Sequence, residues 1–141
     1  MDKAAATVAF ERALARHQPA FGQFFLAQLL GLEFDYTDDR CIVSFELKDF
    51  LFNPQGSLHG GIVATVMDIS MGHLLRRCQG PGATLEMKTQ YLKAVRQGRM
   101  TCTGQFIRQG HGISFLQSTL VDDTGDIVAY ATSTWKRLKT P

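Results

Sequence analysis

The chain has 141 residues, 45% hydrophobic and 20% charged, with a formal net charge of +2. That length suits one domain with a sizeable core and is short for two. No Lys/Arg run exceeds a pair such as Arg76-Arg77, no apolar run approaches the ~20 residues needed to span a bilayer, and Met1-Asp2-Lys3 opens no secretory leader, so nucleic-acid binding, a membrane span and export all lack support.

In chain order, Val8, Ala9, Ala13 and Leu14 recur at helical spacing among charges, which predicts an amphipathic helix over 4–17. After Pro19 and Gly22, the residues Phe21, Phe24, Phe25, Leu29 and Leu30 form a short apolar helix or turn ending at Gly31. A strand signal starts near Leu32-Glu33-Phe34 and becomes clear where Cys41, Val43, Phe45 and Leu47 alternate with Ile42, Ser44 and Glu46. Asn53-Pro54-Gln55-Gly56-Ser57 reads as a loop, and an almost wholly apolar helix follows over about 62–77, stopped by Gly80-Pro81-Gly82. Four strand-like stretches complete the chain at 84–94, 99–108, 112–121 and 127–136, with hairpin turns at 109–112 and 122–126. A helix that is apolar on all sides must be covered on all sides, and a curved antiparallel sheet wrapped around it would do so. The expected architecture is α+β, a single domain over 1–141 with an N-terminal helical segment (1–30) and a core (31–137) whose last strands form a meander.

One residue breaks the apolar helix. Asp68 has Ala64, Thr65, Met71 and Gly72 at the positions three and four away, and none of them carries a positive charge. An ionised carboxylate held in apolar surroundings without a partner costs several kcal/mol, so such a group marks a site more often than a structural accident. Upstream, Leu58-His59-Gly60-Gly61 has the form of a helix start, where unpaired backbone N–H groups and the positive end of the helix dipole can hold a developing oxyanion. Gly-Gly as a simple hinge is the competing reading.

Gly60 and Asp68 are eight residues apart, or about 12 Å along a helix axis. General-base chemistry needs contact near ~3 Å, so the two cannot serve one reacting carbonyl from the same helix. Either they serve different purposes, or the carboxylate comes from a second copy of the chain. A two-fold dimer with antiparallel central helices would bring each Asp68 to the other copy's Gly60 and create two equal sites.

Asn53…His59-Gly60-Gly61…Asp68, followed by GATLEMKTQYLKAVRQG at 82–98, resembles the hotdog-fold acyl-CoA thioesterases, most of all the branch typified by phenylacetate-degradation thioesterases. The resemblance runs from about residue 31 to 137 and is looser over the N-terminal helices. It implies a hotdog fold, a homodimer commonly paired again into a tetramer, and hydrolysis of an acyl-CoA thioester to free acid and CoA, with no cofactor beyond the CoA of the substrate. By motif, the Gly60 N–H would polarise the thioester carbonyl, while His59 and Asn53 would orient the loop and the thioester end of the ligand. Asp68 of the neighbouring subunit would be general base or nucleophile, and Thr84 would position the water.

Two departures bear on the nucleotide. Tyr91-Leu92-Lys93-Ala94 stands where the family usually has Tyr-Leu-Arg-Pro, and Lys lacks the bidentate grip of Arg. CoA phosphates are expected near Lys93, Arg96, Arg108 and His111, each of which is otherwise an ordinary solvated charge.

The remaining candidates read as structural. His17, His59, His73 and His111 lack metal-ligand spacing, and no Ser sits in G-x-S-x-G. His73 falls about 140° around the helix from Asp68, off its face. Cys41, Cys78 and Cys102, odd in number and without C-x-x-C spacing, read as buried reduced thiols in a cytoplasmic protein. Trp135 and Tyr130 suit core or interface. Phe24, Phe25, Leu29 and Leu30 suit core or the wall of an aryl or medium-chain acyl pocket. The rival functions are an acyl-CoA hydratase or dehydratase and a non-catalytic acyl-CoA-binding protein on the same fold.

Overall fold

The computed structural model describes residues 1–139. Helix α1 (Lys3–Arg16) is capped by the Asp2 carboxylate, which accepts from the Ala5 N–H at 3.0 Å. Helix α2 (Phe25–Leu30) ends at Gly31, whose left-handed backbone (φ +67°) other residues rarely adopt. Strands β1 (Glu33–Tyr36) and β2 (Arg40–Glu46) form a hairpin in which Cys41, Val43 and Phe45 point inward, as their alternation predicts.

After a single turn of 3-10 helix (Asp49–Leu51) and the Asn53–Ser57 loop comes helix α3, Gly60–Gln79. It starts two residues before the expected 62, because His59 already caps it and both glycines lie inside its first turn. Strands β3 (Gly82–Tyr91), β4 (Arg99–Arg108), β5 (Ile113–Val121) and β6 (Ile127–Arg137) follow. Expected strand 84–94 is displaced: β3 ends at Tyr91, where its partner β6 begins, and Lys93 and Ala94 lie in the crossing to β4.

The six strands of the described residues form one antiparallel sheet in the order β1-β2-β4-β5-β6-β3. The meander is therefore three strands, not four. β3 crosses to the far edge beside β6, leaving β4 free to pair with β2 in the middle.

Helix α3 lies on the concave face of this sheet. Val66, Met67, Met71, Leu74 and Leu75 pack there against Phe45, Met100, Cys102, Leu116, Leu120 and Trp135. Close approach depends on Gly104 in β4, where a Cβ would sit 2.7 Å from the Ser70 carbonyl oxygen. The sheet covers one side of α3, whereas Ala64, Thr65, Asp68 and Ile69 remain half-buried along an open groove with Leu26 and Met87. Full coverage of the helix, expected from its composition, is not reached within one chain.

Candidate functional site

The start of α3 is built by short-range contacts. The Phe52↔Leu58 bridge closes the preceding loop, and Asn53 organises its interior: its side-chain oxygen accepts from the Gln55 and Ser57 N–H groups, and its amide donates to the Ser57 hydroxyl at 3.1 Å. Leu58 N–H donates to the Val95 carbonyl, tying this loop to the β3–β4 crossing.

In the first helical turn, the His59 ring accepts from Gly61 N–H at 2.8 Å and the His59 carbonyl accepts from Ile62 and Val63. The Gly60 N–H is left without an acceptor among the described residues. Tyr91 lies over this glycine and donates its hydroxyl to the Gly60 carbonyl at 3.0 Å. Asn53, Ser57, Gly60, Tyr91 and Lys93 line a cavity of about 320 Å³. Sequence reasoning placed Asn53, His59 and Gly60 together but gave Tyr91 no role, since the contact spans 31 residues.

Asp68 lies elsewhere. It is half-buried, with Thr84 donating to its Oδ1 at 2.7 Å and no cation beside it among the described residues. Burial raises its carboxyl above the usual range, partly offset by the Thr84 hydrogen bond, which favours the anion. Thr84 therefore holds the carboxylate directly. Asp68 and Thr84 share a second cavity, about 540 Å³, with Phe21, Phe24, His73 and Trp135. Trp135 packs flush on Gly72, where a Cβ would come within 2.8 Å of its ring.

His73 thus lines the same cavity as Asp68 and does not sit apart as helical arithmetic suggests. The cavity floor is wider than one helix stripe and takes in Asp68, Ile69, Gly72 and His73 together. Phe24 joins it, Leu30 enters the core, and Phe25 packs edge-on against Phe10 instead.

The four expected phosphate ligands are not brought together. Lys93 and Arg96 lie near the start of β4, whereas Arg108 and His111 lie at its far end, about 30 Å away at ~3.3 Å per residue. Arg96, Arg108 and His111 are exposed, but Lys93 is already paired with Asp122 at 2.5 Å and Asp126 at 2.7 Å. Those bonds, that to Asp122 first, push the Lys93 ammonium up to about 12 and hold Asp122 well below the usual carboxylate range. Among the cysteines, Cys41 and Cys102 are buried as expected. Cys78 is exposed, because it lies on the last turn of α3, which faces outward beside Asp38–Arg40. Among the described residues, no helix is long and apolar enough to cross a membrane.

A long helix seated on one curled antiparallel sheet, with an N-terminal helix beside it, is the hotdog fold. The chain belongs to the thioesterase superfamily, whose family model matches residues 55–134. Acyl-coenzyme A thioesterase 13 of Pongo abelii is 30% identical over 94 residues, covering 64% of this chain and 67% of that protein. The medium/long-chain acyl-CoA thioesterase YigI of Escherichia coli K12 is 23% identical over 125 residues, covering 75% and 81%. Among solved structures, the PaaI protein of the E. coli phenylacetic acid degradation operon matches with a TM-score of 0.81 over 93% of this chain and 96% of that one, at 16% identity. A thioesterase from Haemophilus influenzae matches with a TM-score of 0.73 over 86% and 92%, at 19% identity. At these identities the structural matches carry the fold alone.

Proposed function

We propose that the protein is an acyl-CoA thioesterase acting as a two-fold homodimer, with Asp68 of one protomer working on a thioester held at the partner's Gly60. The observation that carries this reading is the separation of the two halves. Within one chain the free Gly60 N–H and the Asp68 carboxylate line different cavities, about 12 Å apart along α3, too far for one reacting carbonyl.

Three features support a partner. The groove beside Ala64, Thr65 and Asp68 leaves α3 open along that face. Strand β3 is a ten-residue edge strand with exposed Leu85 and Tyr91, and such an edge invites pairing with another copy. Ile107, Ile113 and Phe115 are exposed on the outer sheet face and support a second pairing of dimers.

In this arrangement the Gly60 N–H, at the positive end of the helix dipole, takes the charge growing on the carbonyl oxygen. Asp68 activates water or attacks the carbonyl, and Thr84 fixes its orientation. A thioester is already activated, so one base and one oxyanion donor suffice. His59 and Asn53 keep the loop in register with the helix. Arg96, the exposed residue after Val95 of the Gly60 cavity lining, is left for the CoA phosphates, because Lys93 is neutralised by two aspartates; Arg108 and His111 would have to meet the nucleotide from the other end of the sheet. Phe21, Phe24 and Trp135 suit an aryl or medium-chain acyl group in the larger cavity. The motif spacing favours the phenylacetate-degradation branch, and the three free thiols suit a reducing, cytoplasmic setting.

Thiol release from a panel of aryl- and medium-chain acyl-CoAs tests the reading. CoA release that needs Asp68 is the expected result. Addition of water to an enoyl-CoA would instead make the protein a hydratase, and tight binding with neither reaction would make it a non-catalytic acyl-CoA-binding protein.

A further inference from the structure

Strand β3 touches α3 at two points that matter to the site. Thr84 donates to the Asp68 carboxylate, and the Tyr91 hydroxyl donates to the Gly60 carbonyl at 3.0 Å. The two residues are seven apart, an odd separation that sends side chains to opposite faces of a regular strand. The pairing with β6 shifts between Thr84 and Glu86, so Leu85 is an extra residue in β3. That bulge returns Tyr91 to the face that carries Thr84, toward α3.

Tyr91 is 56% exposed, so its hydroxyl adds little to the core. Its ring nonetheless lies on Gly60, where a Cβ would come within 3.2 Å of the ring, and both residues line the same cavity. A glycine in the first turn of a helix has no side chain to hold its two peptide planes. The plane carrying the Gly60 N–H is held by the His59 carbonyl, which accepts from Ile62 and Val63. The next plane carries the Gly60 carbonyl, and Tyr91 holds it from the sheet.

We infer that Tyr91 is a positioning residue whose hydroxyl fixes Gly60 so that the free N–H is aimed at the developing oxyanion. The inference rests on the thioesterase reading of Gly60. Tyr91 touches no reacting atom, and its effect passes through the glycine. An oxyanion donor works by being aimed beforehand at the place where charge develops, and loss of one costs ~10²–10³ in rate. Loosening its aim costs part of that. The cost falls on kcat and spares KM, because the carbonyl oxygen gains its charge only on the way to the transition state.

The test uses Tyr91→Phe, which keeps the ring and removes the donated hydrogen. With phenylacetyl-CoA and hexanoyl-CoA, kcat should fall about tenfold while KM and the melting temperature stay at wild-type values. Two CoA thioethers that cannot be hydrolysed separate aim from scaffold. The trifluoroacetonyl thioether, whose electron-poor ketone adds water to form a tetrahedral diol, should lose about tenfold in affinity, whereas the propyl thioether, which has no carbonyl, should bind as before. An unchanged kcat overturns the inference and leaves the thioesterase standing. A lower melting temperature with both thioethers weakened alike overturns it too, since Tyr91 would then support the fold alone. If the wild type releases CoA from neither substrate, the thioesterase reading falls and this inference falls with it.

Discussion

At Asp68, position and environment act together. The carboxyl is raised by burial, so the folded protein binds its proton more tightly than the unfolded chain does. Its ionisation therefore costs stability as pH rises through the unfolded and then the folded value, and Asp68→Asn should melt no lower than wild type at pH 7. The same variant should lose activity by ~10²-fold or more, the usual contribution of a positioned base; thermal melts and CoA-release rates check both halves. Thr84 donates to the anion, so Thr84→Val should raise the carboxyl further and move the acid limb of the pH–rate profile to higher pH. A profile that stays put would show that Thr84 does not tune the base. At this scale the sequence was informative where the cause was local. The neighbours of Asp68 three and four positions away are apolar or neutral, and its lack of a cation follows from them. The partners of Lys93 stand 29 and 33 residues downstream, and Tyr36 reaches His73 over 37, so spacing gave no sign of either.

At the scale of elements, α3 organises everything else. Its first turn carries the free N–H, its middle carries the carboxylate, and its buried side seats on β4 and β5. The seat depends on Gly104, where an added methyl would meet the backbone carbonyl of Ser70 and not a yielding side chain. Gly104→Ala should therefore lift the helix off the sheet and cost about 1–3 kcal/mol in denaturant melts. Wild-type stability in that variant would mean the helix can shift without loss. The strands were legible because burial alternates along them, as at Cys41, Val43 and Phe45, and the bounds of β4 were met at both ends. The place of β3 was not legible. Alternation marks a strand but not its neighbour, and only the three-dimensional register shows Gly82–Tyr91 laid against β6 at the sheet edge.

In the proposed dimer, a single copy carries only half of each site. An open groove along α3, an unpaired β3 edge and two half-sites on one helix all point to a second protomer. Helix geometry already left only two readings from the sequence, separate purposes or a second copy, since eight residues of helix separate Gly60 from Asp68. The measurement that bears most directly on it mixes two inactive forms. Gly60→Pro removes the free N–H at the first helical position, where Pro is tolerated and the preceding His59 is already extended (ψ 130°). Asp68→Asn removes the carboxylate. Each homodimer should be nearly inactive, whereas a purified heterodimer should regain about half of wild-type CoA release, because one of its two sites joins an intact Asp68 to the partner's intact Gly60. A verified heterodimer as inactive as its parents would contradict the shared site.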